Sequence, residues 1–139
     1  MVTTLNYIIM DSIEKQFNTV LEDIAKQVSG TIGISVVELE SGMALATLSN
    51  QAGFDLEIAA AYNAEVVKQK MKAMAALNLK GQEITDFIIT LTSQIHIIRF
   101  INSKYILYFA VDSTTSNLAM TKVVLNSCSA RIKSLIEGL

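Results

Sequence analysis

Residues 55–79, DLEIAAAYNAEVVKQKMKAMAALNL, decide how this chain folds. The stretch contains no Gly or Pro and is rich in Ala, Leu, Met, Glu and Lys, which are strong helix formers. Asp55 stands directly before the first apolar residue, the position at which an aspartate caps the free N–H groups of a helix. The sequence therefore predicts a long helix that begins at Asp55.

The apolar residues of this central helix cover more than one of its faces. At 3.6 residues per turn, one arc is placed to face a sheet. It holds Leu56, Ala59, Ala60, Val67, Met71, Met74 and Leu77. A second apolar flank lies beside it and holds Ile58, Tyr62, Val66, Ala73 and Ala76. Together they span roughly 200°, whereas a helix packed on one layer needs about 100°. We therefore predict that the flank packs against a second copy of the chain; internal burial and an unrelated partner are the alternatives.

The N-terminal part of the chain predicts a helix from residue 11. The sequence D-S-I-E at residues 11–14 resembles a capping box, and a single apolar stripe follows it as far as Gly30. Residues 1–10 show no clear period, so they are treated as an extension that either packs locally or continues the helix backwards. Residues 11–139 then form one domain, a size that is sufficient for a real core.

Residues 31–49 predict a β-hairpin with a turn at residues 40–42. The first strand alternates between two faces. One face holds Ile32, Ile34 and Val36, and the other holds Gly33, Ser35 and Val37. Small side chains in a strand allow another element to approach the backbone closely. We therefore expect an element to pack tightly against Gly33 and Ser35.

Three further strand patterns follow the central helix, in residues 83–93, 94–101 and 104–111. Apolar residues stand on both faces of these strands, which is typical of a sheet covered on both sides. A last helix follows, capped by Ser116 or Asn117. The predicted order is α-β-β-α-β-β-β-α. This is an α+β sandwich in which the two terminal helices share one face of the sheet and the central helix covers the other.

Composition excludes several classes of protein. Net charge is −2, from 11 basic and 13 acidic residues without a basic cluster, so nucleic-acid binding is not expected. Cys128 is the single cysteine, which suits a reducing compartment. Hydrophobic residues make up 51% of the chain, but no apolar run is long enough to span a bilayer, and the N-terminus does not resemble a signal peptide. We expect a cytoplasmic protein without an integral membrane segment.

The order of elements resembles the roadblock/dynein light chain family over residues 11–139. The residues that carry the resemblance are the hairpin GISVVELESGMALA at residues 33–46, Phe54-Asp55 at the start of the central helix, and Asn117-Leu118-Ala119 at the start of the last helix. The resemblance implies a five-stranded antiparallel sheet with strand order 2-1-5-4-3, and a homodimer.

In dimers of that family, the central helices pack antiparallel and the third strands pair edge to edge. Carried over to this sequence, residues 84–91 form the paired edge, which would otherwise be an aggregation hazard. The implied dimer interface contains Ile58, Tyr62, Val66 and Ala73 on the helix and Ile84, Phe87 and Ile89 on the strand.

Family members regulate or scaffold Ras-like small GTPases, or serve as light chains of a motor complex. This chain is most similar to the single-domain prokaryotic regulators, so the resemblance implies a small-GTPase partner and a role like that of a GTPase-activating protein or a scaffold. The candidate partner-binding residues are Glu65, Lys68 and Lys72 on the exposed margin of the central helix. Their alternative role is that of an ordinary solvated face.

No group of residues predicts catalysis, a cofactor or a metal site. His96 is the single histidine and stands in a predicted strand without a second ligand, which favours a structural role. Cys128 falls on the apolar stripe of the last helix, as a buried, unreactive thiol would. We predict a non-catalytic binding module.

Two alternatives remain open. One is a structural adaptor whose binding is independent of nucleotide. The other is a sensor that holds a small molecule between the sheet and the central helix. The sheet-facing positions, including Met71 and Met74, read as core residues, and few polar groups converge there to orient a ligand.

Overall fold

A computed structural model describes residues 3–139, except for the side chains of Asn6, Tyr7, Ile9, Met10 and Asp11. The order of elements is α-β-β-α-β-β-β-α, as predicted. The elements are α1 (Thr4–Gln27), β1 (Thr31–Glu38), β2 (Ala44–Ser49), α2 (Leu56–Ala76), β3 (Asp86–Thr90), β4 (Gln94–Phe100), β5 (Tyr105–Asp112) and α3 (Leu118–Glu137). None of the three helices formed by residues 3–139 combines the length and hydrophobicity that a bilayer crossing requires.

The five strands form one antiparallel sheet with the order β2-β1-β5-β4-β3, which confirms the predicted topology. The strand β5 lies at the centre and is buried from Ile106 to Val111. The strands β2 and β3 form the two edges. Each edge strand has one neighbour in the sheet, so its outer backbone groups are available for pairing with another chain.

Helices cover both faces of the sheet, as the apolar strands indicate. On one face, α1 and α3 pack against each other and against side chains such as Ile34, Ile97 and Phe109. On the other face, α2 packs on side chains such as Val37 and Tyr108. The predicted division of two terminal helices on one face and the central helix on the other is confirmed.

The first strand departs from simple alternation. Its pairing with β5 contains an irregularity between Thr31 and Gly33. Ile32 consequently packs in the core under α2, whereas Ile34 packs under α1 and α3. The prediction that Ile32 shares a face with Ile34 is therefore wrong, because a bulge shifts the side-chain alternation by one residue.

Gly33 confirms the predicted close approach of another element. A Cβ atom at Gly33 would lie 2.8 Å from Cδ2 of Leu56, the first residue of α2. Real Cβ atoms do not approach a carbon that closely, so glycine allows the N-terminal end of α2 to rest directly on the backbone of β1.

The first helix begins earlier than predicted. It starts at Thr4, so residues 11–14 lie inside the helix and do not cap its N-terminus. Nothing in residues 4–10 stops a helix, since this stretch contains neither Gly nor Pro. The predicted extension at residues 1–10 therefore joins the domain through a continuous helix, and its first two residues lie outside the described part of the chain. The domain boundary at residue 10 stays a prediction.

Candidate interaction surface

The central helix α2 is held in place at its N-terminus and along one arc. Oδ1 of Asp55 accepts hydrogen bonds from the backbone N–H groups of Glu57 at 3.0 Å and Ile58 at 3.1 Å, as the predicted N-cap requires. The buried residues are Leu56, Ala60, Ala64 and Val67. Ala64 was not included in the predicted arc, although it lies on the same face by helical periodicity.

The C-terminal part of α2 differs from the prediction. The helix ends at Ala76, three residues before Leu79, and Asn78 adopts a positive φ of 55° that ends the helical path. Leu77 is 65% exposed and Met71 is 42% exposed. The prediction that Met71 is a core residue is therefore wrong, and Met74 is half-buried. The buried arc stops at Val67 because the helix runs past the part of the sheet that covers it.

The second flank of α2 lies at the surface of the single chain. Tyr62 is 73% exposed, Ile58 57% and Val66 46%, and Ala73 is also exposed. These side chains repeat at helical spacing on one side of the helix. They form a contiguous apolar strip, which single soluble chains rarely leave in water unless it binds a partner.

The edge strand β3 carries a second group of exposed apolar side chains. Ile88, Ile89 and Leu91 are between 36% and 46% exposed. The strand itself covers Asp86–Thr90, which is shorter than the predicted edge at residues 84–91. Phe87 is half-buried against the core under α2, and Ile84 is half-buried just before the strand. The predicted interface residues of this strand therefore lie at a free edge, with Ile89 the most exposed of them.

Charged residues occupy the remaining arc of α2. Nζ of Lys68 lies 2.8 Å from Oε1 of Glu65, and it donates a hydrogen bond of 3.5 Å to the backbone oxygen of Glu40. The hydrogen bond from Lys68 to the carboxylate of Glu65 and the charge of Lys68 lower the pKa of Glu65, and the charge of Lys72 adds to the effect. The three predicted partner-binding residues therefore lie together at the surface and interact electrostatically.

His96 belongs to a hydrogen-bonded network beneath α2. Its Nε2 lies 2.8 Å from Oε1 of Gln94, and its Nδ1 lies 3.0 Å from the hydroxyl of Tyr108. An amide oxygen only accepts, so Nε2 carries the proton and Nδ1 accepts from Tyr108. Burial lowers the pKa of His96 and raises the pKa of Tyr108 to about 12. Both groups are therefore neutral near pH 7, and the arrangement supports the predicted structural role of the histidine.

The described residues offer no cluster for metal chemistry. Within residues 3–139, no group of three or more His, Cys, Asp or Glu side chains is placed to hold a metal ion. Cys128 is a free thiol that is 2% exposed in the core under α1 and α3, which confirms its predicted burial.

A cleft with a volume of about 1080 Å³ lies at one end of the sheet, and sequence reasoning did not find it. We call it the end cleft. Its walls are the C-terminal end of α2, the loop before β3, the end of β4 and one side of α3. Its lining residues include Met71, Met74, Lys80, Glu83, Asp86, Arg99, Phe100, Lys122, Asn126 and Lys133.

A charged network forms one wall of the end cleft. Arg99 donates two hydrogen bonds to the carboxylate of Asp86, at 2.8 and 3.1 Å, and a third to Oδ1 of Asn126 at 2.7 Å. The side chains of Asp86 and Arg99 are each 11% exposed. A bidentate pair of this kind fixes the edge strand to β4 and α3. The sequence signal was a pair of opposite charges in two neighbouring apolar strands, and only the register places them opposite each other.

Comparisons with solved structures identify the fold. The structure superposes on MglB of Myxococcus xanthus with a TM-score of 0.79 and 13% sequence identity, covering 89% of this chain and 90% of that chain. An MglB structure described as having a tetrameric arrangement matches with a TM-score of 0.77 and 14% identity over 91% of both chains. A Roadblock/LC7 domain from Streptomyces avermitilis matches with a TM-score of 0.74 and 10% identity, covering 86% of this chain and 96% of that domain.

Neither a protein-family model nor a curated protein matches the sequence. At identities of 10–14%, these likenesses establish the architecture. The chain therefore has the roadblock/LC7 fold, as its sequence resemblance predicts.

Proposed function

We propose that this chain is a non-catalytic homodimeric module that binds a Ras-like small GTPase and regulates or scaffolds it. The observation that carries the proposal is the exposed flank of α2. Ile58, Tyr62 and Val66 are 46–73% exposed, whereas the arc that faces the sheet is buried as far as Val67. A helix with two apolar faces in a domain with one sheet needs a second partner.

A second copy of the chain fits this flank. Pairing two α2 helices in antiparallel orientation brings Tyr62 and Val66 of each copy against those of the other. In the arrangement that the family resemblance implies, the free edge of β3 also lies next to its symmetry mate, so that the edge carrying Ile89 is covered. A closed two-fold arrangement removes both exposed apolar surfaces in one step.

The charges of α2 support the antiparallel direction. Glu57 and Glu65 stand in the first half of the helix, and Lys68, Lys70 and Lys72 stand in the second half. Antiparallel pairing sets the acidic half of one copy beside the basic half of the other, whereas parallel pairing sets like charges together. The electrostatic pattern is therefore self-complementary in only one of the two directions.

The family resemblance supports a small GTPase as the partner. Two paired helices make a platform, with Glu65, Lys68 and Lys72 at its margin. The Glu65–Lys68 pair has side chains that are 64% and 34% exposed, and water screens surface pairs of this kind, so they contribute little to folding stability. Their charges remain accessible to a partner, and the stability of the domain does not depend on them.

The two arginines limit how such a module acts on a GTPase. Arg99 is held by Asp86, and Arg131 lies 2.9 Å from Asp23. Neither side chain is positioned as a free arginine finger. Acceleration of hydrolysis would then come from ordering the GTPase's own loops and catalytic groups.

Nucleotide-dependent capture tests the proposal. The immobilised chain is incubated with lysate of its source cell in the presence of GDP or a non-hydrolysable GTP analogue, and bound proteins are identified by mass spectrometry. We expect a small GTPase in one nucleotide state, and weaker retention by Lys72→Glu than by the control Lys26→Glu on α1. Equal retention in both states would favour the nucleotide-independent adaptor. Absence of a GTPase in either state would contradict the proposal.

A further inference from the structure

The end cleft begins where the buried arc of α2 stops. The arc that packs on the sheet is buried as far as Val67. Beyond that point the same arc continues with Met71 and Met74, which face the end cleft. An apolar stripe of the core is thus exposed where its sheet ends.

The opposite wall of the end cleft is a polar track on α3. Lys122, Asn126 and Lys133 all line it. Lys122 and Lys133 are eleven residues apart, which is about three helical turns, so they stand on the same side of α3 about 16 Å from each other. Asn126 lies between them and is held by Arg99. The two ammonium groups therefore mark the ends of a track along a rigid helix.

Lys122 and Lys133 form only weak ion pairs within the chain. Nζ of Lys122 lies 4.0 Å from Asp86, and Nζ of Lys133 lies 4.0 Å from Glu137. Their side chains are 42% and 54% exposed. Contacts at the limit of ion pairing, with this exposure, contribute little to stability and leave both charges able to bind another group.

The end cleft is positive although the protein is negative. Asp86 and Arg99 neutralise each other, and of the remaining charged residues lining it, three are lysines and one is Glu83, which leaves two positive charges. The whole chain carries a net charge of −2. An acidic ligand is therefore attracted to this end of the molecule in preference to the rest of its surface.

We propose that the end cleft docks an acidic amphipathic helix of a partner protein. The apolar face of that helix packs on Met71, Met74 and Phe100, and two acidic side chains about three turns apart pair with Lys122 and Lys133. Flexible methionines adapt to an inserted apolar side chain, as they do in other grooves that bind helices. A volume of about 1080 Å³ lies at the upper end of the range for small-molecule pockets and suits a macromolecular segment. This docking site does not depend on the proposed GTPase.

Synthetic peptides test the proposal on the intact protein. The probe is a fluorescent helical peptide of about 15 residues, with one leucine stripe and two glutamates three turns apart. A matched peptide carries lysines in place of those glutamates. Binding is measured by fluorescence anisotropy at about 20 mM and 300 mM salt. We expect the acidic peptide to bind, more tightly at low salt, and the basic peptide to bind at least about tenfold more weakly.

Variants of the protein assign the binding to the end cleft. Lys122→Glu and Lys133→Glu are each expected to weaken binding of the acidic peptide about tenfold at low salt. Met74→Lys is expected to weaken binding of this peptide at both salt concentrations. The control is Lys26→Glu on α1, which makes the same charge change away from the end cleft. Far-UV circular dichroism checks that each variant is folded.

Several results would overturn the proposal. One is equal binding of the acidic and basic peptides; another is binding that neither Lys122→Glu nor Lys133→Glu weakens. Anionic vesicles that bind through these lysines, while the peptide does not, would assign the end cleft to a membrane surface. A loss of self-association in Lys133→Glu, measured by sedimentation without peptide, would assign it to a second copy.

Discussion

Val66→Asp provides the sharpest test of the dimer, because the residue lies in the middle of the exposed flank of α2. Val66 is 46% exposed in the single chain. Full burial of a valine contributes about 1.5–3 kcal/mol, so covering the exposed half contributes about 1 kcal/mol in each copy. An aspartate in its place would lose its hydration in the interface without gaining a hydrogen-bond or charge partner, which costs at least about 2 kcal/mol more. Both copies carry the change in a two-fold dimer, so the total loss is about 6 kcal/mol.

A loss of this size raises the dimer dissociation constant by roughly four orders of magnitude. The assay is sedimentation equilibrium over a range of concentrations, with the wild type as reference. Val and Asp have similar helix propensities, so the folded single chain is expected to lose about 0.5 kcal/mol or less. Thermal unfolding at low concentration separates this effect from dissociation.

The matched control is Val123→Asp, the same substitution at an exposed position of α3. Val123 is 63% exposed and stands away from the flank. We expect its dissociation constant to equal that of the wild type. If Val66→Asp and Val123→Asp sediment identically, as dimers or as single chains, the flank is not the interface and the reasoning from its exposure is refuted.

Three further substitutions test the fold and its electrostatics. Gly33→Ala is expected to lose about 1 kcal/mol of unfolding free energy in denaturant titration, because its Cβ would lie 2.8 Å from Cδ2 of the buried Leu56 and that side chain must shift; an unchanged midpoint would mean that Leu56 does not need the space left by Gly33. Asp86→Asn leaves Arg99 without a carboxylate in an 11% exposed site and is expected to lose about 2 kcal/mol of unfolding free energy in the same titration; an unchanged midpoint would mean that the pair does not stabilise the fold. Burial lowers the pKa of His96 in the folded chain below its usual value of 6.5. As the pH falls, the histidine is therefore protonated in the unfolded chain before it is protonated in the folded chain. The unfolding free energy is then highest above pH 6.5 and declines below it. Replacing His96 by Gln should flatten the dependence of unfolding free energy on pH between about 7 and 5.5; an equally steep dependence would contradict this assignment.

The pattern of the sequence was sufficient to predict the order of the helices and strands and the helices on both faces of the sheet. The N-cap at Asp55 and the start of the α2 pattern are local signals, and each is confirmed because it depends on the backbone of its own segment. The small Gly33 predicted a close approach, and its contact with Leu56 of α2 confirms it. Apolar residues on both faces of the last three strands indicated a sheet covered on both sides. The strand order required the family resemblance, since local patterns do not specify which strands become neighbours.

Element ends were less predictable. The start of α1 at Thr4 and the end of α2 at Ala76 differ from the predictions by several residues. A capping-box pattern is also compatible with the interior of a helix, so it misplaced the first of these ends. The bulge that turns Ile32 to the face under α2 arises from pairing with β5, which no local pattern reveals.

The sequence by itself determined the two apolar arcs of α2, since helical periodicity depends only on spacing. It therefore predicted a second partner and a position for it on α2, and both stay predictions. Only the tertiary structure decided where the sheet stops under α2, so it turned Met71 from a predicted core residue into the wall of a cleft. It also joined Asp86 to Arg99, because their contact depends on strand register. Register and relative length are set by packing between distant segments, and a pattern read within one segment does not contain them.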